Sequence, residues 1–260
     1  MIPVVVGSNP IGHPITPQAR FAEILEESAR GIEANARGAL DSEDPEFLHQ
    51  LRVSSRRLRS ALRAFRPILP RRDARRVRRS LRKLSPPLGR ARDWDVLVGR
   101  LGAVGDAARK REVARRKARD AIESEAFQKM LQRARALGAE ESPESLAQFG
   151  AAALSRAQGK LMQAARRIDW SDATQRHAVR IRVKRLRYAC EFFAPAFAPR
   201  RAAAYIGALK ELQRVLGELN DIAVARRLIA ADADERALLR SLDAAWRGFA
   251  RRSPFWRARA

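Results

Sequence analysis

The sequence contains a single cysteine, Cys190, which excludes an internal disulfide and with it a disulfide-stabilised secreted scaffold. Long apolar runs are also absent. The apolar stretch at residues 2–6 is too short for a signal peptide or a membrane span. We therefore expect a cytoplasmic protein in which residues 1–16 form a flexible leader.

The residue patterns that carry most enzymatic chemistry are missing as well. There is no Cys or His cluster at metal-ligand spacing, no glycine-rich phosphate-binding loop and no nucleophile motif. We therefore predict that the protein is not an enzyme and that it uses neither a cofactor nor a metal ion.

Acidic residues are few relative to basic ones. The chain has 53 Lys and Arg against 29 Asp and Glu, which gives a net charge of +24 and an isoelectric point near 11.6. An excess this large points to a polyanionic partner and leaves nucleic acid, polyphosphate and an anionic membrane surface open. Because 46% of the residues are hydrophobic, the chain can also bury a core and should be folded.

The most informative feature is an internal repeat at an offset of 128 residues. The segment FLHQLRVSSRRLR at 47–59 matches QRHAVRIRVKRLR at 175–187, and LRKLSPPLGRARD at 81–93 matches LKELQRVLGELND at 209–221. This ungapped offset holds from about residue 21 to 101. Self-similarity of this kind predicts two related units, at about 17–138 and 144–252, followed by a tail at 253–260.

Apolar residues recur at three- and four-residue spacings, which predicts an all-α protein built from two helical bundles. Asp44 and Pro45 fit the start of one helix, and Pro67 fits its end. We interpret Asp93 and Asp221 as helix N-caps rather than as catalytic or metal-binding acids. The predicted helices cover about 17–40, 45–65, 71–85, a segment from Asp93, 105–137, 144–168, 172–193, 199–216, 221–231 and a last segment through Leu238 and Phe249.

The repeated segment predicts an amphipathic helix with one cationic side. Five side chains lie within about 80° of one another on a helical wheel, and four equivalent side chains repeat the arrangement in the second copy. The apolar residues, including Cys190, lie opposite and should be core. We call these two sets the basic stripes: His49, Arg52, Arg56, Arg59 and Arg63 in the first copy, and His177, Arg180, Lys184 and Arg187 in the second.

The stripes contain no acidic residue, although a merely solvated helix face would mix basic residues with Glu at i+4 spacing. Residues 51–92 hold 16 Lys or Arg and one acid, whereas 179–220 hold nine against three. Such a concentration favours binding of a polyanion, with the first copy dominant. The two histidines are either hydrogen-bond donors to phosphate or structural residues.

The motifs HQLRVSSRRLR and PPLGRARDWDVL, followed by HAVRIRVKRLRYACEFF and VLGELNDIAVARRL, resemble the CHAD domain family. The resemblance covers about residues 17–250. It implies two four-helix bundles related by a pseudo-two-fold axis, a basic central groove or pore, and binding of inorganic polyphosphate at polyphosphate granules. It also implies that Arg57, Arg185, Arg82, Lys210, Arg75 and Arg79 belong to the basic surface.

Among these, Arg57 and Arg185 lie off the stripes, so we expect them to pair with Asp93 and Asp221. Arg75 and Arg79 have no basic counterpart in the second copy.

Our leading hypothesis is a non-enzymatic polyphosphate-binding protein whose two stripes grip the polymer from both sides, with no membrane partner. The alternative is sequence-independent nucleic-acid binding, although the stripes lack the aromatic residues on which single strands stack. A third hypothesis makes His49 or His177 a phosphate-accepting nucleophile or a metal ligand.

Overall fold

In a computed structural model the described residues, 15–102, 105–229 and 234–257, form nine α-helices and no strand. The all-α prediction is confirmed. Residues 1–14 of the predicted leader and 258–260 of the tail lie outside the described residues, and the boundaries of the two units stay predictions. The helices are α1 Pro17–Asp41, α2 Pro45–Ala64, α3 Arg71–Leu101, α4 Ala107–Glu123, α5 Glu125–Arg135, α6 Leu146–Ala165, α7 Ala173–Phe193, α8 Pro199–Ile229 and α9 Arg236–Ala250.

The starts of the two stripe helices, α2 and α7, follow from local sequence. The Asp44 carboxylate accepts a hydrogen bond from the backbone N–H of Glu46, and Pro45 occupies the first turn, as predicted. The Asp172 carboxylate caps α7 in the same way, accepting from the N–H groups of Thr174 and Gln175. These side chains satisfy N–H groups that have no partner within the helix.

The predicted breaks within α3 and α8 are wrong, because each is one continuous helix of 31 residues. Asp93 and Asp221 therefore lie inside helices and are not N-caps. Helix α3 runs through Pro86 and Pro87, neither of which is buried. The carbonyl groups that these prolines leave without a donor belong to residues 82 and 83, which are exposed and open to water.

Burial explains why α3 continues across this interruption. Leu84 and Leu88 lie on either side of the two prolines and are 8% and 1% exposed. Keeping both leucines in one helix maintains their contact with the core. The free energy of this burial offsets the cost of placing proline inside a helix.

The predicted helix at 105–137 is divided into α4 and α5. Ser124 has extended backbone geometry (φ −61°, ψ 142°), and its hydroxyl accepts a hydrogen bond from the N–H of Phe127. The serine therefore ends one helix and caps the next.

The two stripe helices pack against each other through aromatic residues of both halves of the chain. The ring of Phe65, at the end of α2, lies 5.7 Å from that of Phe149 and 4.9 Å from that of Phe193. Cys190 is buried, which confirms its predicted place in the core. Each stripe helix also packs on its neighbours, α2 on α1 and α3, and α7 on α6 and α8. The α2–α7 contact brings the cationic sides of both helices to one groove.

Candidate anion-binding groove

The groove has a volume of about 1290 Å³ and is lined by residues of α2, α3, α7 and α8. Every residue of the two basic stripes lines it. The members are His49, Arg52, Arg56, Arg59 and Arg63 from α2, and His177, Arg180, Lys184 and Arg187 from α7.

The other four predicted residues lie elsewhere. Arg75 and Arg79 belong to a separate surface pocket of about 380 Å³. We call its lining the α3 arginine cluster: Arg71, Arg72, Arg75, Arg76 and Arg79. Arg82 and Lys210 are exposed, and neither lines one of these two pockets.

Helices α3 and α8 add charged residues whose place in the groove was not predicted from the sequence. Arg92 and Asp93 come from α3, and Asp221 and Arg227 come from α8. Arg92 lies within the break wrongly predicted in α3, and the other three lie beyond the breaks wrongly predicted in these helices. Leu84 and Leu88 have the spacing of one continuous helix across Pro86 and Pro87. Extending α3 on that basis would have placed Arg92 and Asp93 at the groove.

Glycine at position 89 makes room for one of the deepest cations. A Cβ atom at Gly89 would lie 2.7 Å from Arg52 Nη1, so the Arg52 guanidinium passes directly over the α3 backbone. Burial lowers the pKa of Arg52, and the nearby Asp93 carboxylate opposes that effect. Burial likewise lowers the pKa of Arg180, and the Asp221 carboxylate opposes that effect. Both side chains are held partly out of water before any ligand binds.

Neutral groups position several of the other cations. Arg56 Nε donates a hydrogen bond to the Tyr188 hydroxyl at 3.1 Å, and Arg59 Nη1 donates to Ser85 Oγ at 2.7 Å. A neutral acceptor orients a guanidinium without cancelling its charge. These hydrogen bonds therefore leave the groove strongly positive.

Arg187 has the most contacts of the stripe arginines. Its Nε donates to Gln213 Oε1 at 2.8 Å, and its guanidinium forms an ion pair with Glu191. The guanidinium also lies 4.4 Å from the centre of the Tyr188 ring, a cation–π contact. The ring is 3% exposed, so it supports the arginine and offers no face on which a base could stack.

Lys184 lies between Arg180 and Arg187 on α7 and interacts with Arg52 and Arg56 of α2. Burial first, and then these four like charges, lower the pKa of its amine to about 6. The side chain is therefore mostly uncharged at neutral pH in the empty groove.

The two histidines have different neighbours. His177 Nδ1 donates a hydrogen bond to Asn220 Oδ1 at 2.9 Å. The equivalent of Asn220 in the first copy is Arg92, and burial together with Arg92 lowers the pKa of His49. His49 is therefore mainly neutral in the empty groove, and a bound anion would favour its protonation.

The predicted pairing of Arg57 with Asp93 is wrong. Arg57 Nη2 donates to Glu27 Oε2 at 3.0 Å, and its guanidinium lies 5.2 Å from the centre of the Phe192 ring. Arg185 lines the groove, where burial and the charges of Arg63, Arg182 and Arg59 lower its pKa to about 10.

Across the described part of the chain, no group of three or more His, Cys, Asp or Glu side chains is arranged to hold a metal ion. The described helices also include none that is both long and apolar enough to span a membrane.

The family model of the CHAD domain matches residues 23–230. A crystal structure of the CHAD domain from the plant Ricinus communis is similar, with 29% identity and a TM-score of 0.72, and the match covers 96% of this chain and 97% of that one. PptA from Streptomyces chartreusis shares the fold at 19% identity with a TM-score of 0.59, covering 92% and 98%. No curated protein matches significantly. With a family match over most of its length and a groove that unites its two histidine-led stripes, the chain belongs to the CHAD domain family.

Proposed function

We propose that the groove binds inorganic polyphosphate and that it does so without catalysing a reaction. The observation that carries this proposal is the convergence of both basic stripes on one groove. A linear polymer with one charge on each repeating unit can contact many of these cations together. It thereby releases the counterions that surround each partner, as on nucleic acid. The family's association with polyphosphate supports the same ligand.

The lining of the groove favours this ligand over single-stranded nucleic acid. Single-stranded nucleic acid is usually bound by aromatic rings as well as by cations. The Tyr188 ring in the groove wall is already covered by Arg187. Polyphosphate has no bases and needs only the guanidinium, amine and imidazole groups that are present.

The α3 arginine cluster offers a second contact for long chains. Arg63 of the groove interacts electrostatically with Arg78, and Arg59 does so with Arg82, so the positive potential extends from the groove along α3. In this proposal the bound polymer continues over the cluster on the first half of the chain. The second half has Ala203, Ile206 and Gly207 at the corresponding positions of Arg75, Arg78 and Arg79.

The direct test compares a variant that lacks four basic residues of the groove with a control variant that lacks four basic residues of the surface. The groove variant carries Gln at Arg52, Arg56, Arg180 and Lys184. The control carries Gln at the exposed residues Arg116, Lys117, Arg236 and Arg240, so that each variant replaces four basic residues and has the same formal charge.

We expect the groove variant to lose about a hundredfold or more in affinity for polyphosphate, and the control to stay within about threefold of the wild type. Binding would be measured by calorimetry, with circular dichroism to verify that both variants are helical. Equal losses in the two variants would mean that net charge, and not the groove, binds the polymer.

In this proposal the protein acts in the cytoplasm at polyphosphate granules, and the groove variant expressed in cells should no longer concentrate there.

A further inference from the structure

Lys184 occupies the centre of a cluster of cations. It follows Arg180 by one helical turn and precedes Arg187 by another, and Arg52 and Arg56 reach it from α2. The lysine is only partly exposed. A fifth positive charge at this position would be repelled by four neighbours and would lose part of its hydration.

Lysine differs from arginine in that it can relieve this repulsion by releasing its proton. Burial and the four arginines bring the pKa of Lys184 to about 6. The empty groove at pH 7–8 therefore contains an uncharged amine among guanidinium groups that keep their charge.

A bound polyanion reverses the local balance of charge. Phosphate oxygens near Lys184 would replace repulsion by attraction and favour the ammonium form, which can donate three hydrogen bonds. The amine would then take a proton from water as the ligand enters.

Most other charged groups around the lysine do not change protonation near pH 8. The guanidinium groups do not release a proton at this pH, and His49, whose pKa is lowered by burial and by Arg92, is a competing proton acceptor. The charged and titratable groups that line the groove are His49, Arg52, Arg56, Arg59 and Arg63 on α2, Arg92 and Asp93 on α3, His177, Arg180, Arg185, Arg187 and Tyr188 on α7, and Asp221 and Arg227 on α8.

From this arrangement we propose that Lys184 is the proton-accepting group of the groove, and that binding of polyphosphate is coupled to uptake of a proton at its amine. The inference rests on the proposed function. It adds that the groove is most strongly charged when it is occupied, and that affinity falls as the pH rises.

The test measures proton uptake by calorimetry at pH 8 in two buffers of different ionisation enthalpy, with sodium polyphosphate of one defined length as the probe. We expect the wild type to take up between about half a proton and one proton more than Lys184→Arg, whose guanidinium is charged before and after binding. A second variant with Gln at His49 and His177 should keep the Lys184-dependent uptake, because the proposed acceptor is the lysine amine and not an imidazole.

The pH dependence provides an independent measurement on the same proteins. The affinity of the wild type relative to Lys184→Arg should fall between pH 7 and 9, by at most about tenfold per pH unit, because the bound form holds the additional proton. If the wild type binds polyphosphate with the same uptake as Lys184→Arg, this inference is overturned and the proposed function stands. If the wild type does not bind polyphosphate at all, both fail.

Discussion

The lysine in the basic stripe shows how a groove lined by like charges can weaken the fold that carries it. The pKa of Lys184 is about 6 in the folded chain and near 10.5 for an ordinary lysine. Between these values the unfolded chain holds the proton and the folded chain does not. The free energy of unfolding therefore rises with pH over this range, and the contribution of Lys184 is most unfavourable below pH 6.

We predict that Lys184→Met is more stable than the wild type and that the difference grows as the pH falls from 10 to 6. The slope of the difference should not exceed about 1.4 kcal/mol per pH unit, the limit for one proton. Urea unfolding at several pH values would measure it. Parallel stability curves for the two proteins would show that Lys184 keeps its ordinary pKa.

At the scale of helices, a buried ion-pair network docks α4 on α3. The Asp95 side chain is fully buried and accepts hydrogen bonds from Arg111 Nε at 2.7 Å and Arg115 Nη1 at 3.0 Å. Arg115 Nη2 also donates to the backbone carbonyl of Glu43, just before α2. The corresponding position in the second copy is Ala223, so this network belongs to the first half alone.

We predict that Asp95→Asn lowers the free energy of unfolding by about 3 kcal/mol, because the buried Arg115 would keep only the exposed Glu43 carboxylate, at 3.2 Å from its Nε, to balance its charge. Chemical denaturation would measure the loss. Asp106→Asn is the matched control, since its exposed carboxylate pairs with Arg109 and should contribute nothing measurable. Similar effects of the two substitutions would contradict a structural role for the network.

The helices also show what the sequence could and could not predict. The starts of α1 and α2, the buried Cys190 and the shared face of both stripes follow from local spacing and from the repeat. The continuity of α3 does not, because Pro86 and Pro87 are strong local stop signals that only the burial of Leu84 and Leu88 overrides. That error hid the groove positions of Arg92 and Asp93.

At the scale of the whole molecule, charge and packing are arranged together. Much of the net charge of +24 lies in residues 51–92, which form most of α2 and α3. The aromatic contacts around Phe65 fix α2 against α7, so cations from both halves face one groove. A rigid scaffold of this kind holds the like charges together, and under the proposed function it would reduce the ordering that polyphosphate binding requires.

The most direct test is a salt titration of polyphosphate binding by the wild type, the four-residue groove variant and its surface control. Duplex DNA is added as competitor at equal phosphate concentration. If the groove binds polyphosphate, affinity should fall steeply with salt, with a logarithmic slope of about −6 or steeper, because about nine groove cations would contact the polymer. The groove variant should lose nearly half of that slope, because it lacks four of these cations, while the control keeps it, and DNA should not displace polyphosphate. Equal slopes for all three proteins, or displacement by DNA at equal phosphate, would contradict the account.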